Sequence, residues 1–544
     1  MKFTKLTFST FCSAAFAALA LTASTTSAAE KFTPAPDRVT PLFNDGSEII
    51  LNTFTLSTSG EKTLKGISID TSGTTTLTDI AELKIIHIRR AGDRTFADLK
   101  KLKPNMKIKG DLAFPRGGHK FKVVLRTKKN ADLLHKIHFQ ITAFHFADGT
   151  SLKVKNTKQT PQRLAYPIHR RNDHNCHTFR IPAIARANNG DLLSVYDMRY
   201  NSRKDLQEHM DIGLSVSKDG GQTWSPPRPI MDMGEYGGKS QKENGCSDPG
   251  IIVDSKTGEV MVTACWTHGK PNTHQWVGKG SEPGHDIHKS TQFMVVRSKN
   301  HGKTWGKPEN LTKALKDPKW VLFAPAPGNG ITMKDGTLVM PTQGRDEKGH
   351  PFSNITWSKD HGKTWTVSPA ARDNTTECAV AQLSDGSLML NMRDNRNRRD
   401  KSDTNGRAVG TTTDLGKTWK KHSSDHGTLP EPTCMASLIS HTTKSGKHIL
   451  LFSNPNNKNS RSGMTIQLSE DDGKTWKSKV LLDTRGGAYS SLVMIDKDTI
   501  GILYESSVAD MIFQKVKLSG VRLSGRLHGK GFAEGKPSRR TWST

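Results

Sequence analysis

Alternating apolar and polar residues mark several short segments in the first third of the chain. Residues 137–142 alternate at every position, which is the pattern of a half-buried β-strand. Comparable runs begin at Leu83 and at Phe121, and Asp148-Gly149 has the composition of a hairpin turn. These patterns predict a β-sandwich over residues 30–160, which acts either as a carbohydrate-binding domain or as a spacer.

An eight-residue pattern, S-x-D-x-G-x-T-W, recurs five times in the rest of the chain. Its copies span residues 217–224, 298–305, 358–365, 412–419 and 469–476. The third position can accept hydrogen bonds from backbone N–H groups of its own loop, and the glycine permits a positive φ. The tryptophan is expected to bury apolar surface beneath the turn. We therefore interpret these repeats as scaffold and not as catalytic residues.

Dipeptides typical of hairpin turns recur through the same region. They are Asn189-Gly190, Thr257-Gly258, Asp335-Gly336, Asp385-Gly386 and Ser445-Gly446, with Asp496-Lys497-Asp498 as a sixth signal. Each of the first five precedes a copy of the eight-residue turn and leaves room for two strands. Two hairpins per unit give four strands, so the six signals predict a six-bladed β-propeller over residues 161–544, ending in a basic tail.

Composition agrees with an all-β fold, since hydrophobic residues make up only 33% of the chain and glycines number 47. The formal net charge is +28, but the lysines are scattered through the turns. No zinc-finger spacing or RNA-binding aromatic signature accompanies that charge, so we expect no nucleic-acid partner. The charge gives only a mild preference for acidic partners.

The N-terminus has the pattern of a secretory signal peptide over residues 1–29, with Lys2 and Lys5 before an apolar stretch. This predicts export, either to a periplasm or out of the cell. No later segment reaches 18 apolar residues, so we expect no integral membrane contact. The five remaining cysteines are too widely spread for a disulfide framework or a zinc site.

The segment Phe179-Arg180-Ile181-Pro182 resembles the F/Y-R-I-P motif that opens bacterial and animal sialidases. With the five eight-residue turns, which match the Asp-boxes of that family, the resemblance covers residues 165–520. The chain is similar to bacterial exo-α-sialidases with Asp-box (BNR) repeats and an N-terminal sialidase-associated β-sandwich. This implies a retaining hydrolase that removes terminal sialic acids from glycoproteins, gangliosides and mucin-type oligosaccharides, without a cofactor or metal.

Sialic acid carries a carboxylate on its anomeric carbon, and arginine suits this anion because its planar fork binds carboxylate bidentately. The resemblance assigns Arg180, Arg393 and Arg461 to this role. Arg396 is an alternative to Arg393, and a change in loop length would shift the match at Arg461. The resemblance also implies that Arg199 and Asp248 contact the substrate and that Glu505 orients Arg180. Two tryptophans, Trp266 and Trp276, flank an insertion and are candidates for the pocket wall.

The resemblance assigns Tyr489 as the nucleophile and Glu377 as the base that takes its proton. Sialidases are the known tyrosine-nucleophile exception among retaining glycosidases, and a phenol with a pKa near 10 needs such a base. It assigns Asp205 as the acid/base, with Glu208 and Asp211 as alternatives, and closure of the site should raise the pKa of that acid.

Other functions remain open at this point. A trans-sialidase or an intramolecular trans-sialidase would share the nucleophile, and a non-catalytic sialic-acid-binding propeller would share the arginines. Tyr489, Glu377 and Asp205 together argue against a pure binding protein, because binding alone requires none of them. A purely structural repeat protein is the least favoured interpretation.

Overall fold

The structure, a computed structural model, describes residues 29–155, 159–270, 273–276, 278–506 and 510–521. Its regular secondary structure is almost entirely β-strand. The predicted signal peptide, apart from residue 29, and the end of the basic tail lie outside these described residues. Among the described residues, no helix is long and apolar enough to cross a membrane.

The first unit forms two antiparallel sheets. Its strands are β1 (Lys31–Pro34), β2 (Leu42–Phe43), β3 (Glu48–Thr58), β4 (Lys62–Asp70), β5 (Ile80–Ile88), β6 (Arg94–Leu99), β7 (Asn105–Phe114), β8 (Gly117–Thr127), β9 (Lys136–Ile137), β10 (Gln140–Phe146) and β11 (Ser151–Lys153). One sheet has the order β1-β3-β8-β5-β6 and the other β11-β10-β4-β7. The ring centroid of Phe54 in the first sheet lies 5.7 Å from that of Phe144 in the second, so the two sheets share a core.

The runs that begin at Leu83 and Phe121 lie in strands, as predicted, and Asp148-Gly149 lies in the turn between β10 and β11. The run 137–142 is divided between β9 and β10. The backbone N–H and C=O of His138 bond to the hydroxyl of Thr74, so this residue does not pair in a sheet.

The second unit begins at β12. Its strands are β12 (Gln162–His169), β13 (Thr178–Arg186), β14 (Leu192–Arg199), β15 (Met210–Ser217), β16 (Arg228–Met231), β17 (Cys246–Val253), β18 (Val260–Trp266), β19 (Gln292–Ser298), β20 (Glu309–Asn310), β21 (Leu322–Pro325), β22 (Gly328–Asn329), β23 (Ile331–Thr332), β24 (Leu338–Arg345), β25 (Pro351–Ser358), β26 (Thr366–Val367), β27 (Arg372–Asp373), β28 (Thr375–Gln382), β29 (Leu388–Asp394), β30 (Ala408–Thr412), β31 (Lys420–Lys421), β32 (Ser437–Thr442), β33 (His448–Pro455), β34 (Ser462–Ser469), β35 (Ser478–Met494), β36 (Thr499–Ser506) and β37 (Asp510–Lys517). The helical turns of this unit are α1 (Thr312–Leu315) and the 3₁₀ segments Asp173–Asn175, Gln241–Glu243 and Asn395–Arg398. The first unit contains the 3₁₀ segment Leu77–Asp79.

Four sheets of this unit follow the chain in order, with β13-β14-β15-β16 as the simplest example. The last sheet is larger, and its main path runs β2-β12-β37-β36-β35-β34-β33-β32. Strand β35 is 17 residues long, pairing with β34 through its first half and with β36 through its second. Because β12 pairs with β37, the first strand of the unit completes the sheet formed by its last strands.

The six predicted turns all connect neighbouring antiparallel strands, and each glycine in them has a positive φ. The eight-residue turns also form as expected. In the first copy, Asp219 accepts hydrogen bonds from the backbone N–H and hydroxyl of Thr223, at 2.9 and 2.5 Å. Trp224 is buried. The corresponding tryptophans of the later copies, Trp305, Trp365, Trp419 and Trp476, are only partly buried.

The two units are joined by hydrogen bonds as well as by the chain. Gln222, in the first eight-residue turn, donates to the backbone carbonyl of Ala131 at 2.8 Å. The backbone N–H of Thr484 donates to the carbonyl of Val39, also at 2.8 Å. The cysteines of the described residues are buried and free.

Candidate active site

One cavity of about 320 Å³ collects most of the predicted site residues. It is lined by Arg180, Ile181, Asp205, Asp248, His274, Trp276, Gln343, Arg345, Thr376, Glu377, Arg393, Arg398, Arg461 and Tyr489. Seven of the nine predicted site residues are therefore in its wall. Arg199 and Glu505 do not line the cavity, but each forms a hydrogen bond with a residue that does.

The cavity residues come from strands that share one irregularity. In β13, β17, β28 and β35, two residues of the strand lie opposite a single residue of the next strand. These register shifts fall between Arg180 and Ala183, Ser247 and Gly250, Thr375 and Cys378, and Gly487 and Ser490. Such β-bulges bend a strand and redirect a side chain. Here they lie at or beside Arg180, Asp248, Glu377 and Tyr489.

Tyr489 and Glu377 form a buried hydrogen-bonded pair, in which the phenol donates to Glu377 Oε1. Arg393 donates to Glu377 Oε2 and also to the Tyr489 oxygen, the latter at 3.2 Å. Burial, followed by the nearby charge of Glu377, raises the pKa of Tyr489 well above its ordinary value. Burial also raises the pKa of Glu377, but Arg393 and the Tyr489 hydroxyl outweigh it, so the net pKa is lowered. Glu377 is thus an ionised acceptor for the tyrosine proton.

Three guanidinium groups surround this pair. Besides Arg393, the guanidinium carbons of Arg180 and Arg461 lie 5.5 and 5.7 Å from the ring centroid of Tyr489. Glu505 holds Arg180 through two hydrogen bonds of 3.2 Å each, as the resemblance implied. It also accepts from the backbone N–H groups of Ile181 and Tyr489, at 2.8 and 3.4 Å. One carboxylate therefore fixes both an arginine and the strand that carries the tyrosine.

Arg199 lies behind the cavity wall. Its side chain is 1% exposed and does not line the cavity, so its contact with the substrate stays a prediction. It donates to Asp197 at 2.8 and 3.1 Å. It also donates to Asp205 at 2.9 Å. Arg199 is therefore a positioning residue for the candidate acid.

Asp205 itself lies at the cavity wall with 44% of its side chain exposed. Burial raises its pKa, but the positive charges of Arg199 and Arg180 outweigh burial, and the net pKa is lowered. This is opposite to the rise expected of a general acid. The two alternative acids, Glu208 and Asp211, do not line the cavity. Glu208 accepts a hydrogen bond from Ser202, and Asp211 accepts one from Tyr200.

Asp248 lies in a bulge with φ at +62°, and its backbone N–H donates to Asp197 at 3.0 Å. Burial, together with the charges of Asp197 and Asp205, raises the pKa of Asp248 well above its ordinary value. A protonated carboxyl at this position can donate a hydrogen bond to a sugar hydroxyl.

The structure also separates the remaining alternatives. Arg393 lines the cavity whereas Arg396 does not, and Arg461 lies where the match required. Trp276 lines the cavity, but Trp266 is fully buried and donates to Asn244, so it is a core residue. Thus one of the two tryptophans considered for the pocket wall is in that wall.

Several cavity residues were missed from the sequence. Arg345 ends β24 and Arg398 ends the 3₁₀ segment Asn395–Arg398, and both face the same space as Arg393. Asp197, two residues before Arg199, was also missed. The only sequence signal for it was its place in the same strand as Arg199, since its partners Ser247 and Asp248 lie about 50 residues away.

Comparison with known proteins identifies the family. Residues 190–502 match the family described as a BNR repeat-like domain. A sialidase of Bacteroides fragilis is 46% identical over 422 residues, which cover 76% of each chain.

Solved structures give the same result. The Hadza microbial sialidase Hz136 superposes with a TM-score of 0.82 and 36% identity, covering 90% of this chain and all of that one. An intramolecular trans-sialidase from Ruminococcus gnavus reaches a TM-score of 0.51 at 18% identity, over 64% of this chain and 96% of its own. The latter likeness concerns the fold alone. The chain belongs to the bacterial sialidases with BNR repeats, a family of exo-α-sialidases, which are glycoside hydrolases with a propeller-like all-β fold.

Proposed function

We propose that the protein hydrolyses terminal sialic acids from glycoproteins, glycolipids and oligosaccharides with retention of configuration, through a covalent sialyl-tyrosine intermediate. The observation that carries this proposal is the buried hydrogen bond from Tyr489 to Glu377, with Arg180, Arg393 and Arg461 around it. A binding protein would need the arginines but not a phenol paired with an ionised base.

In the first step the three arginines hold the substrate carboxylate and place the anomeric carbon above the Tyr489 oxygen. Glu377 takes the phenolic proton as that oxygen bonds to the anomeric carbon, and Asp205 gives its proton to the departing glycosidic oxygen. In the second step Asp205 takes a proton from water, and the water oxygen bonds to the anomeric carbon. The bond from that carbon to the tyrosine oxygen breaks at the same time, and Glu377 returns the proton to that oxygen. Protons and electron pairs balance over the cycle.

The lowered pKa of Asp205 fits this scheme when the substrate charge is included. Arg180 is one of the two arginines that lower that pKa. A substrate carboxylate bound to Arg180 adds a negative charge nearby and so raises the pKa of Asp205. Binding of the anion therefore prepares the acid for its first proton transfer.

We also propose the architecture in which this site works, a β-sandwich over residues 30–160 followed by a six-bladed β-propeller from residue 161. The large sheet supports this count, because β35 belongs to two sets of strands. Its first half pairs with β34, next to β33 and β32, and its second half pairs with β36, next to β37 and β12. These two four-stranded sets and the four separate sheets give six blades. Export to a periplasm or out of the cell, directed by residues 1–29, is a further part of this proposal.

Nuclear magnetic resonance of the released sugar tests the proposal, using an α-linked sialyllactose as substrate. We expect α-sialic acid as the first product. Release of the β-anomer first would refute retention, whereas an anhydro sugar or a transferred product would identify a trans-sialidase.

A matched pair of variants tests the nucleophile. Tyr489→Phe should lower kcat by about a thousandfold or more, because the attacking oxygen is lost. Tyr166→Phe is the control, since Tyr166 is partly buried in β12 away from the cavity. Mass spectrometry after treatment of the wild type with a 2,3-difluorinated sialoside should show one added sialyl group on Tyr489. A label elsewhere, or full turnover by the Tyr489→Phe protein, would exclude the sialyl-tyrosine.

A further inference from the structure

The cavity contains more positive charge than one sialic acid can neutralise. Arg180 is paired with Glu505, and Arg393 with Glu377. Among the described residues, the other three arginines of the cavity wall, Arg345, Arg398 and Arg461, have no carboxylate partner. One substrate carboxylate accounts for Arg461 together with its two neighbours. Arg345 and Arg398 are left without an ion-pair partner among the described residues.

Arg345 is the more informative of the two. It ends β24, and within the described part of the chain its side chain makes a single hydrogen bond, to the carbonyl of Gly344 at 3.1 Å. Burial and the nearby charges of Arg393 and Arg398 lower its pKa to about 10, with Glu377 acting in the opposite direction. It therefore stays protonated at neutral pH, although two other guanidinium groups are close enough to repel it. Such crowding of like charges is unfavourable unless an anion lies between them.

Arg398 approaches the same space from another element. It is the last residue of Asn395–Arg398, and its side chain is exposed. Among the described residues it forms no ion pair with a carboxylate. Two unpaired guanidinium groups from different elements thus line the cavity, close enough for their charges to interact. Planar forks of this kind bind carboxylates and sulfate esters bidentately.

We propose that Arg345 and Arg398 form a second anion site, which recognises a carboxylate or a sulfate ester on the glycan from which the sialic acid is released. This inference rests on the proposed hydrolase function. A sialic acid brings one carboxylate, and its hydroxyl, glycerol and N-acetyl groups are uncharged. The second anionic group must therefore belong to the leaving glycan, either as a neighbouring sialic acid or as a sulfated sugar.

Three substrates distinguish these sources. One is α2,3-sialyllactose, whose leaving sugar is neutral. The second is an α2,8-linked disialic acid, whose leaving sugar carries a carboxylate, and the third is α2,3-sialyllactose with a sulfate ester on galactose. For each substrate, kcat/KM is compared between the wild type and the variants Arg345→Gln and Arg398→Gln. Arg399→Gln is the matched control, because Arg399 is exposed on the same segment and does not line the cavity.

We expect each variant to lose about tenfold or more in kcat/KM on an anionic substrate, as for a lost charge-assisted hydrogen bond. The loss on α2,3-sialyllactose should stay within about twofold. A selective loss on the disialoside alone assigns the carboxylate, and one on the sulfated substrate alone assigns the sulfate. Equal losses on all three substrates, or no loss on any, would overturn the second anion site.

Arg398→Gln retains the test if Arg345→Gln fails to fold, because the Arg398 side chain is exposed. If the proposed function is wrong, the result differs, because the wild type then hydrolyses none of the three substrates. In that case the second anion site is tested by calorimetric binding of the sialosides to the Tyr489→Phe protein. Tighter binding of the sulfated than of the unsulfated sialoside, lost in Arg398→Gln, supports the second site, and equal binding refutes it.

Discussion

Arg199 offers a direct test of how the candidate acid is held. Its guanidinium donates to Asp197 and Asp205, and also to the carbonyls of Arg203 and Lys204 at 2.8 and 2.9 Å. The Arg199 guanidinium therefore holds the connection that contains Asp205 against the end of β14. We predict that Arg199→Lys keeps the charge but loses this geometry, because an ammonium group has three donors on a single atom.

The expected size follows from these contacts. Losing two charge-assisted hydrogen bonds costs about 3–6 kcal/mol, at roughly 1.5–3 kcal/mol each, shared between folding stability and the position of Asp205. A displacement of about 1 Å at a catalytic group lowers the rate by about a hundredfold. We therefore expect kcat/KM on α2,3-sialyllactose, a substrate with a poor leaving group, to fall by about a hundredfold.

The assay compares two leaving groups. A 4-methylumbelliferyl sialoside releases a stable phenolate and depends little on protonation, so its kcat/KM should fall by less than about tenfold. Arg203→Lys is the control, since Arg203 is exposed on the same connection. Equal losses on both substrates would mean that Arg199 does not act through the acid, and would refute this reasoning.

Three other outcomes are expected. Glu505→Gln should raise KM about tenfold or more by releasing Arg180, because breaking a buried ion pair leaves its partner uncompensated; an unchanged KM would contradict the role given to Glu505. Asp219→Asn should lower Tm by a few degrees at most at neutral pH, since Asn300 serves at the same position in the second eight-residue turn. Burial raises the pKa of Asp219, but the hydrogen bonds from Thr223 outweigh it and the net pKa is lowered. The ionised Asp219 therefore stabilises the fold above its pKa in the unfolded chain, and this stabilisation should disappear as the pH falls through its pKa in the folded protein. Scanning calorimetry of the wild type and the Asp219→Asn protein at pH 7 and pH 3 measures both effects. The buried cysteines should react with a thiol reagent only after unfolding, and rapid reaction of native protein would contradict their burial.

The fold could be predicted well where local chemistry determines it. Aspartate, glycine and hairpin dipeptides act within a few residues, and the turns they predicted are present at each predicted position. The long strand β35 and the closing pair of β12 with β37 could not be predicted, because they depend on contacts between distant segments. Partners such as Tyr166 and Phe513 lie at opposite ends of the second unit.

The site was predicted through family resemblance more than through residue chemistry. Arg180 and Glu505 are 325 positions apart, and no local pattern connects them. The resemblance assigned Arg199 to the substrate, but a position in a motif does not show that the side chain is buried behind the cavity wall. Arg345 and Arg398 belong to no quoted motif, and in a chain with 80 lysines and arginines an isolated arginine carries no signal.

The repeated bulge explains why the cavity residues can be so distant in sequence and so close in space. Strand β13 contacts both β17 and β35, so three of the four bulged strands lie side by side. One extra residue in each bulge redirects a side chain to the common cavity. Pro182 and Pro249 fit the bulges of β13 and β17, because a bulge leaves a backbone N–H unpaired and proline has none. Ile181, with φ at +58°, costs about 1–2 kcal/mol as a left-handed residue. The hydrogen bond from the Ile181 N–H to Glu505 helps to offset that cost. The same carboxylate orients Arg180, so one side chain both compensates the backbone strain and positions an arginine of the cavity.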